Sequence, residues 1–307
     1  MMNIKFKFET YILSKNDKIK ISSKDIKRGD IFLALQGKNL HGNKFINSSL
    51  KKGAKFCLTD NDKYKKNDKV LFVKDIFVYL TNLALKKRKL YHGEVIGITG
   101  SAGKTTLKET LAFFLKKTHK VSFSKKSYNN QLGVLISVLN MNLDSAFSIF
   151  EIGTNNFGEI RSLTKIVKPN QIFITNIQSN HLEALKTKDN VAKEKSDIFN
   201  YKYNNQRKKL YLNVNTKSEE LILKKGILEK NLKIILINEL NKKYYIKKII
   251  TSNDNFKVIF SINKRNIIIR TKSKIIFRLI NLLFCFAFFK ENSLKINTII
   301  KNYKYLK

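Results

Sequence analysis

Residues 94–115 read "EVIGITGSAGKTTLKETLAFFL". A short apolar run leads into a glycine-bounded turn. Beyond the turn, Leu107, Leu111, Phe114 and Leu115 recur at i, i+4, i+7 and i+8, which is one face of a helix. Strand, glycine turn and amphipathic helix in direct succession leave few folds open. The turn aims backbone N–H groups and the positive end of a helix at one point, a cradle for phosphate. It is not the general G-x-x-x-x-G-K-[ST] loop, because Ile98 occupies the place of the first glycine.

The surrounding pattern repeats this alternation. "AFSIFEIG" and "QIFITNI" read as buried strands, with a helix through "GEIRSLTKIV" between them that Pro169 ends. "KKLYLNVN" and "LKIILIN" read as two more strands, and "VIFSINKRNIIIR" as a hairpin. Strands alternating with helices predict an α/β fold with a mostly parallel sheet covered on both faces. Before about residue 90 the rhythm differs. Short strands mix with loops, "GDIFLALQG" is a buried strand, "FINSSLKKGAKFCLTD" a helix, glycine stop and strand, and a helix through "VYLTNLALKKRKLYH" leads out. Two domains are expected, 1–90 and 91–307, with no internal repeat.

Composition separates function classes less sharply than the charge suggests. The 61 Lys and Arg against 23 Asp and Glu give +38. Only 7 of those cations are Arg, and the lysines run along the whole chain with abundant Ile and Asn. A phosphate- or base-reading surface favours the planar guanidinium fork, so this balance reads as coding bias, and no nucleic-acid partner is expected. Cys57 and Cys285 lack metal-ligand spacing and suit a reducing cytoplasm. "MMNIKFKFET" has no signal-peptide h-region. "IIFRLINLLFCFAFF" is short for a membrane span and carries Arg278 and Asn281, so it reads as a buried helix.

Four positions carry the chemistry. Lys104 reaches toward outer phosphates and the Thr105 hydroxyl toward Mg²⁺. Glu151 ends an apolar strand, where open α/β sheets collect ligands; it reads either as a hard-oxygen ligand or as a solvated loop acid. His181 lies just past the next strand and reads as a second metal ligand or as a structural histidine. Lys195 falls four residues after Val191, on an apolar face defined with Ile198 and Phe199, whereas Lys193 does not. It either snorkels to water or sits desolvated with its pKa lowered, in which state a neutral amine adds CO₂ to become a carbamate.

These segments, in this order, resemble the Mur ligases, the ATP-dependent amide-forming enzymes of peptidoglycan synthesis. "TGSAGKTTLKE" is similar to their ATP loop, "NNQLGV" to a substrate-side loop, "EIGTNNFGEI" to a metal-glutamate segment, "ITNIQSNHLE" to a histidine segment and "VAKEKSDIF" to a carbamylated-lysine segment. "SSKDIKRGDIFLALQGKNLHGNKF" resembles their uridine-binding domain. The wording of "NNQLGV" and "GTNNFGEI" favours the branch that joins D-Ala-D-Ala to UDP-N-acetylmuramoyl-tripeptide. Another Mur-type amino-acid ligase and an inactive nucleotide-binding relative are the alternatives.

The resemblance implies a small uridine-binding α/β domain followed by the ATP-binding central domain. It implies ATP and two Mg²⁺ ions as cofactors. Gly100, Ser101, Ala102, Gly103, Lys104, Thr105, Thr106 and Asn281 would face ATP. Thr105, Glu151, His181 and Lys195 as its carbamate would hold metal, and Lys104, Glu151, His181 and Lys195 would carry catalysis. Ser23, Lys24, Asn129, Asn130, Thr154 and Asn155 would face the muramoyl substrate. The family's Asp-Ser-Arg stands here as Ser22-Ser23-Lys24, the proline after "GV" is Leu135, and only Asn281 remains of the motif near Phe277. The family's third, C-terminal domain has no counterpart before "YKYLK", so weak nucleotide binding and little or no ligation by this chain alone are expected. A separate chain supplying that domain, a truncated gene and a decaying function are all open.

Overall fold

The computed structural model describes residues 3–37, 40–124, 126–179, 182–201, 207–214, 216–239, 242–252, 255–272 and 275–306. The chain divides into two compact units, Met1–His92 with Leu135–Asp144, and Gly93–Val134 with Ser145–Lys307.

The first unit opens with helix α1 (Ile4–Ser14), whose N-terminus is capped by the Asn3 side chain accepting from the Lys5 amide. Sequence reading names no helix in this stretch. The buried pair is Phe8 and Ile12, four residues apart, and that spacing decides for a helix. Strands β1 (Ile19–Lys20) and β2 (Ile31–Leu33), helix α2 (Ile46–Lys51), strands β3 (Phe56–Thr59) and β4 (Val70–Phe72) and helix α3 (Ile76–Leu90) follow. The four strands pair in parallel in the order β1-β2-β3-β4. Asp75 caps α3 by accepting from the Val78 amide. Lys87 of α3 is fully buried, and its ammonium donates to the carbonyls of Ile12, Lys15 and Leu139.

The second unit begins with β5 (Glu94–Thr99) and α4 (Lys104–Leu115), then β6 (Val121–Phe123) and α5 (Gln131–Leu139), whose last residues belong to the first unit. Next come β7 (Phe147–Glu151), α6 (Glu159–Val167), β8 (Gln171–Ile174), α7 (Leu182–Leu185), α8 (Lys188–Ser196), β9 (Lys208–Asn213), α9 (Lys217–Ile227) and β10 (Leu232–Ile237). Six parallel strands run in the order β10-β9-β8-β5-β7-β6. The expected α/β class is therefore the observed one. β5 lies between β7 and β8, and the crevice at such strands' carboxyl ends is where open parallel sheets take ligands.

Alternation along β5 assigns the layers. Ile96 and Ile98 join the core that contains Leu107, Leu111, Phe114 and Leu115 of α4. Gly97 faces the opposite layer, where a Cβ would press on Pro169 at 2.9 Å and Ile198 at 3.4 Å. The chain then forms an antiparallel sheet of β11 (Tyr244–Ser252), β12 (Asn255–Ile262) and β13 (Arg265–Thr271), and closes with α10 (Ile276–Glu291) and α11 (Asn297–Asn302). The expected hairpin is β12–β13, turning through Asn263 and Lys264 at φ 49° and 70°, the primed geometry a two-residue hairpin prefers. β11 was not expected.

α10 is the apolar run read as a buried helix, and Leu279 together with Asn281 through Phe289 is buried in it. Phe173 of β8 stacks on Tyr211 of β9 at 4.5 Å and meets Phe284 of α10 edge-on at 5.8 Å, which seats the helix on the sheet. Among the described residues, no helix is long and apolar enough to cross a membrane.

Candidate nucleotide and metal site

The glycine loop leaves β5 at Thr99 and enters α4 at Lys104. Gly100 has φ 142°, and a Cβ there would collide with the Thr175 hydroxyl. Gly103 is the N-cap of α4 at φ 79°, a left-handed conformation that costs other residues about 1–2 kcal/mol. The loop is braced by the strand beside it. The Ser101 amide donates to the Asn176 carbonyl at 3.0 Å, the Ala102 amide to Asn176 Oδ1 at 3.0 Å, and the Thr175 hydroxyl to the Ala102 carbonyl at 2.6 Å.

Glu151 sits at the carboxyl end of β7 and is 1% exposed. Its Oε2 accepts from the Thr105 hydroxyl at 2.8 Å, and its Oε1 from Asn129 Nδ2 at 2.8 Å. The Thr105 hydroxyl also lies 3.1 Å from Ser127 Oγ. Three segments thus meet here: the glycine loop's helix, the β7 terminus and the "NNQLGV" loop. The reading of Glu151 as a solvated loop acid is excluded by its burial.

Lys104 and Lys195 meet at one carbonyl. Lys104 Nζ donates to Gly100 O at 2.9 Å, and Lys195 Nζ to the same oxygen at 3.1 Å. Lys195 is 2% exposed, so it does not snorkel. Desolvation, then the neighbouring Lys104 charge, bring its pKa down to about 7, against a smaller opposing pull from Glu194. Burial also lowers Lys104, with Glu151 opposing. The helix face around Lys195 needs one correction. α8 ends at Ser196, so Val191 is on it but Ile198 and Phe199 lie in the turn beyond, buried nonetheless.

The remaining expected residues divide. Asn281 on α10 is buried close to Gly103, with its atoms 3.8–3.9 Å from where a Gly103 Cβ would be, and its Nδ2 has no hydrogen-bond partner. Thr106 is half-buried in the first turn of α4. Asn130 uses its Oδ1 to accept the Gly133 amide at 2.9 Å, opening α5. Thr154 is buried, and its hydroxyl donates to the Asn156 carbonyl at 2.7 Å and lies 3.4 Å from Glu194 Oε1. Asn155 is exposed, with its amide on Glu159. Ser23 and Lys24 belong to the first unit, where the Ser23 carbonyl accepts from Lys52 Nζ at 2.9 Å. His181 lies outside the described residues.

Sequence reading missed two charged residues that build the site. Glu194 accepts the amides of Gly158 and Ile160 at 2.8 Å each, placing a carboxylate at the positive end of α6. Lys108 is wholly buried against Glu151, with Nζ to Oε2 at 3.6 Å. A signal for Lys108 existed: it lies between Leu107 and Leu111 on the apolar side of α4, the same placement that singled out Lys195.

The donor set suits ATP and Mg²⁺. The Thr105 hydroxyl and Glu151 carboxylate are adjacent hard oxygens, and Mg²⁺ is commonly bound by one or two such groups plus substrate phosphates. No cluster of three or more His, Cys, Asp or Glu able to cage an ion by itself occurs among the described residues. The side-chain-free Gly103 and the unpartnered Asn281 Nδ2 leave a surface and a donor for a ligand.

A parallel sheet with a glycine loop at its central strand and an acid at the next strand's end defines a nucleotide-dependent class of α/β protein. The pattern of the Mur ligase middle domain matches residues 98–289, and that of the Mur ligase family catalytic domain matches residues 17–114. The chain belongs to the Mur ligase family. It is 39% identical over 188 residues to the UDP-N-acetylmuramoyl-tripeptide–D-alanyl-D-alanine ligase of Rickettsia prowazekii, covering 60% of this chain and 41% of that protein. It is 37% identical over 174 residues to the ligase of the same name from Buchnera aphidicola, covering 55% and 37%. The fold superposes on MurF from Acinetobacter baumannii with TM-score 0.78 at 23% identity, over 92% of this chain and 61% of that one. It superposes on Thermotoga maritima MurF in complex with ADP with TM-score 0.77 at 22% identity, over 92% and 64%. The matched region thus spans about two-fifths of the length of these curated relatives.

Proposed function

We propose that this chain serves the ATP-dependent joining of D-Ala-D-Ala to UDP-N-acetylmuramoyl-tripeptide in peptidoglycan synthesis. Residues 1–90 would hold the uridine diphosphate end, with Ser23 and Lys24 near it, and residues 91–307 would hold ATP. The observation that carries this reading is the Thr105–Glu151–Asn129 cluster at the mouth of the glycine loop. The names of the relatives support these substrates, and a reaction between ATP and a UDP-linked acceptor fits a cytoplasmic setting.

The chemistry has two steps. A carboxylate oxygen of the tripeptide attacks the γ-phosphorus of ATP in line, the bond to the bridging oxygen breaks, and ADP leaves an acyl phosphate. The free amine of D-Ala-D-Ala then adds to the acyl carbon, loses a proton, and expels phosphate to give the amide. Lys104 and the loop amides hold the phosphates and stabilise charge on the moving phosphoryl group. Asn281 meets the nucleotide, and Asn129 orients Glu151 while facing the muramoyl substrate. Mg²⁺ held by Thr105 and Glu151, and a second ion held by His181 and carbamylated Lys195, would supply charge neutralisation when bound.

Calorimetric titration of the purified chain tests this reading. Mg²⁺-dependent ATP binding should disappear in Lys104→Ala and weaken in Glu151→Gln, while UDP-N-acetylmuramoyl-tripeptide still binds both variants. ATP binding indifferent to Lys104→Ala, or no preference for the muramoyl-tripeptide over plain UDP-N-acetylglucosamine, would reject it.

A further inference from the structure

Lys108 sits one turn past Lys104 on α4 and is fully buried. Its Nζ lies 3.6 Å from Glu151 Oε2 and donates to the Ser124 hydroxyl at 3.3 Å and the Lys126 carbonyl at 2.9 Å. A methionine or leucine would fill this helix position among Leu107, Leu111 and Leu115 without any desolvation cost. A buried ammonium is tolerated only when paired and hydrogen-bonded, so the pairing with Glu151 is what the position supplies.

We propose that Lys108 is a positioning residue and internal counter-cation of the Glu151 site, which makes a divalent cation bind there more tightly with the nucleotide than without it. This rests on the reading of Glu151 as a metal carboxylate. In the free protein both Glu151 oxygens already have partners: Thr105 donates to Oε2, with the Lys108 ammonium 3.6 Å from the same oxygen, and Asn129 donates to Oε1. A dication arriving alone must displace the Thr105 hydrogen bond and meets a fixed positive charge across a single carboxylate, in surroundings that screen it poorly. The polyphosphate of ATP brings the negative charge that offsets Lys108. Metal and nucleotide therefore favour each other's binding, a reciprocal coupling. Through Ser124 and Lys126 the same ammonium ties down the loop that carries Asn129, so the acid and its orienting amide keep one geometry as the ion enters.

Mn²⁺ is the probe, its free concentration read by electron paramagnetic resonance at fixed protein, with and without ATP. The unaltered chain should bind Mn²⁺ at least about tenfold more weakly without ATP than with it, by the charge argument above. Lys108→Met should tighten nucleotide-free Mn²⁺ binding by about tenfold and shrink the coupling. Adding Glu151→Gln to Lys108→Met should abolish that gain. A folded Lys108→Met protein with unchanged nucleotide-free affinity overturns the proposal. So does an unaltered chain whose Glu151-dependent Mn²⁺ binding ignores ATP, a result that requires no Lys108 variant to fold. If the unaltered chain has no ATP-dependent Mn²⁺ site at all, the ligase reading falls, and this coupling with it.

Discussion

Lys195 Nζ donates to the carbonyl of Gly100 across 95 positions of sequence, sharing that oxygen with Lys104. Burial first, and then repulsion from the Lys104 ammonium at the same carbonyl, lower the Lys195 pKa to about 7. Near neutral pH about half of it is then the free amine that CO₂ requires, where an ordinary lysine would need pH above 10. Carbamate formation should rise with pH through about 7 and be lost as Lys195 protonates below that value. Carbon-13 NMR of protein equilibrated with labelled bicarbonate should show a carbamate resonance that Lys195→Ala removes. A resonance retained in that variant would assign the adduct elsewhere.

The two loop glycines should differ in their tolerance of a methyl group. Gly100→Ala meets the Thr175 hydroxyl at a conformation alanine avoids, so nucleotide binding should be lost together with several degrees of melting temperature. Gly103→Ala meets nothing closer than 3.8 Å and should cost only the left-handed strain of about 1–2 kcal/mol. Urea denaturation of both variants reads the difference.

Asn281 should separate stability from binding. Its Nδ2 is buried without a partner, a cost of about 1–3 kcal/mol in the free protein. Asn281→Leu removes that orphan, so stability should hold or rise while ATP affinity falls about tenfold, the value of one polar contact. Equal loss of both would assign Asn281 to the core alone.

Lys87 should give the first unit a pH dependence. Burial lowers its pKa from 10.5 to about 8. Between about pH 8 and 10.5 the unfolded chain holds a proton that the folded chain has released, so stability rises with pH across that window. Lys87→Met should flatten the rise. At pH 7 it should also destabilise by about 3 kcal/mol, because three carbonyls lose their donor. Denaturation midpoints across the pH series check both.

Local pattern carried the reading a long way. The strand–loop–helix unit from Glu94 to Leu115 and the β12–β13 hairpin follow from periodicity and turn chemistry within a few residues, because each is set by neighbours along the chain. Whether Lys195 snorkels or is buried stays open in the sequence, and the fold decides it. α1 went unread because its periodicity shows only once Phe8 and Ile12, one helical turn apart, are buried. Pairing across distance was not written in any segment. Thr105 finds Glu151 46 positions away, and Glu194 caps α6 from 36 positions beyond Gly158. Nothing in either segment names its partner. Only the folding of six parallel strands brings their ends together, and only there does burial turn Lys108 and Lys195 from ordinary lysines into a counter-ion and a group with a lowered pKa.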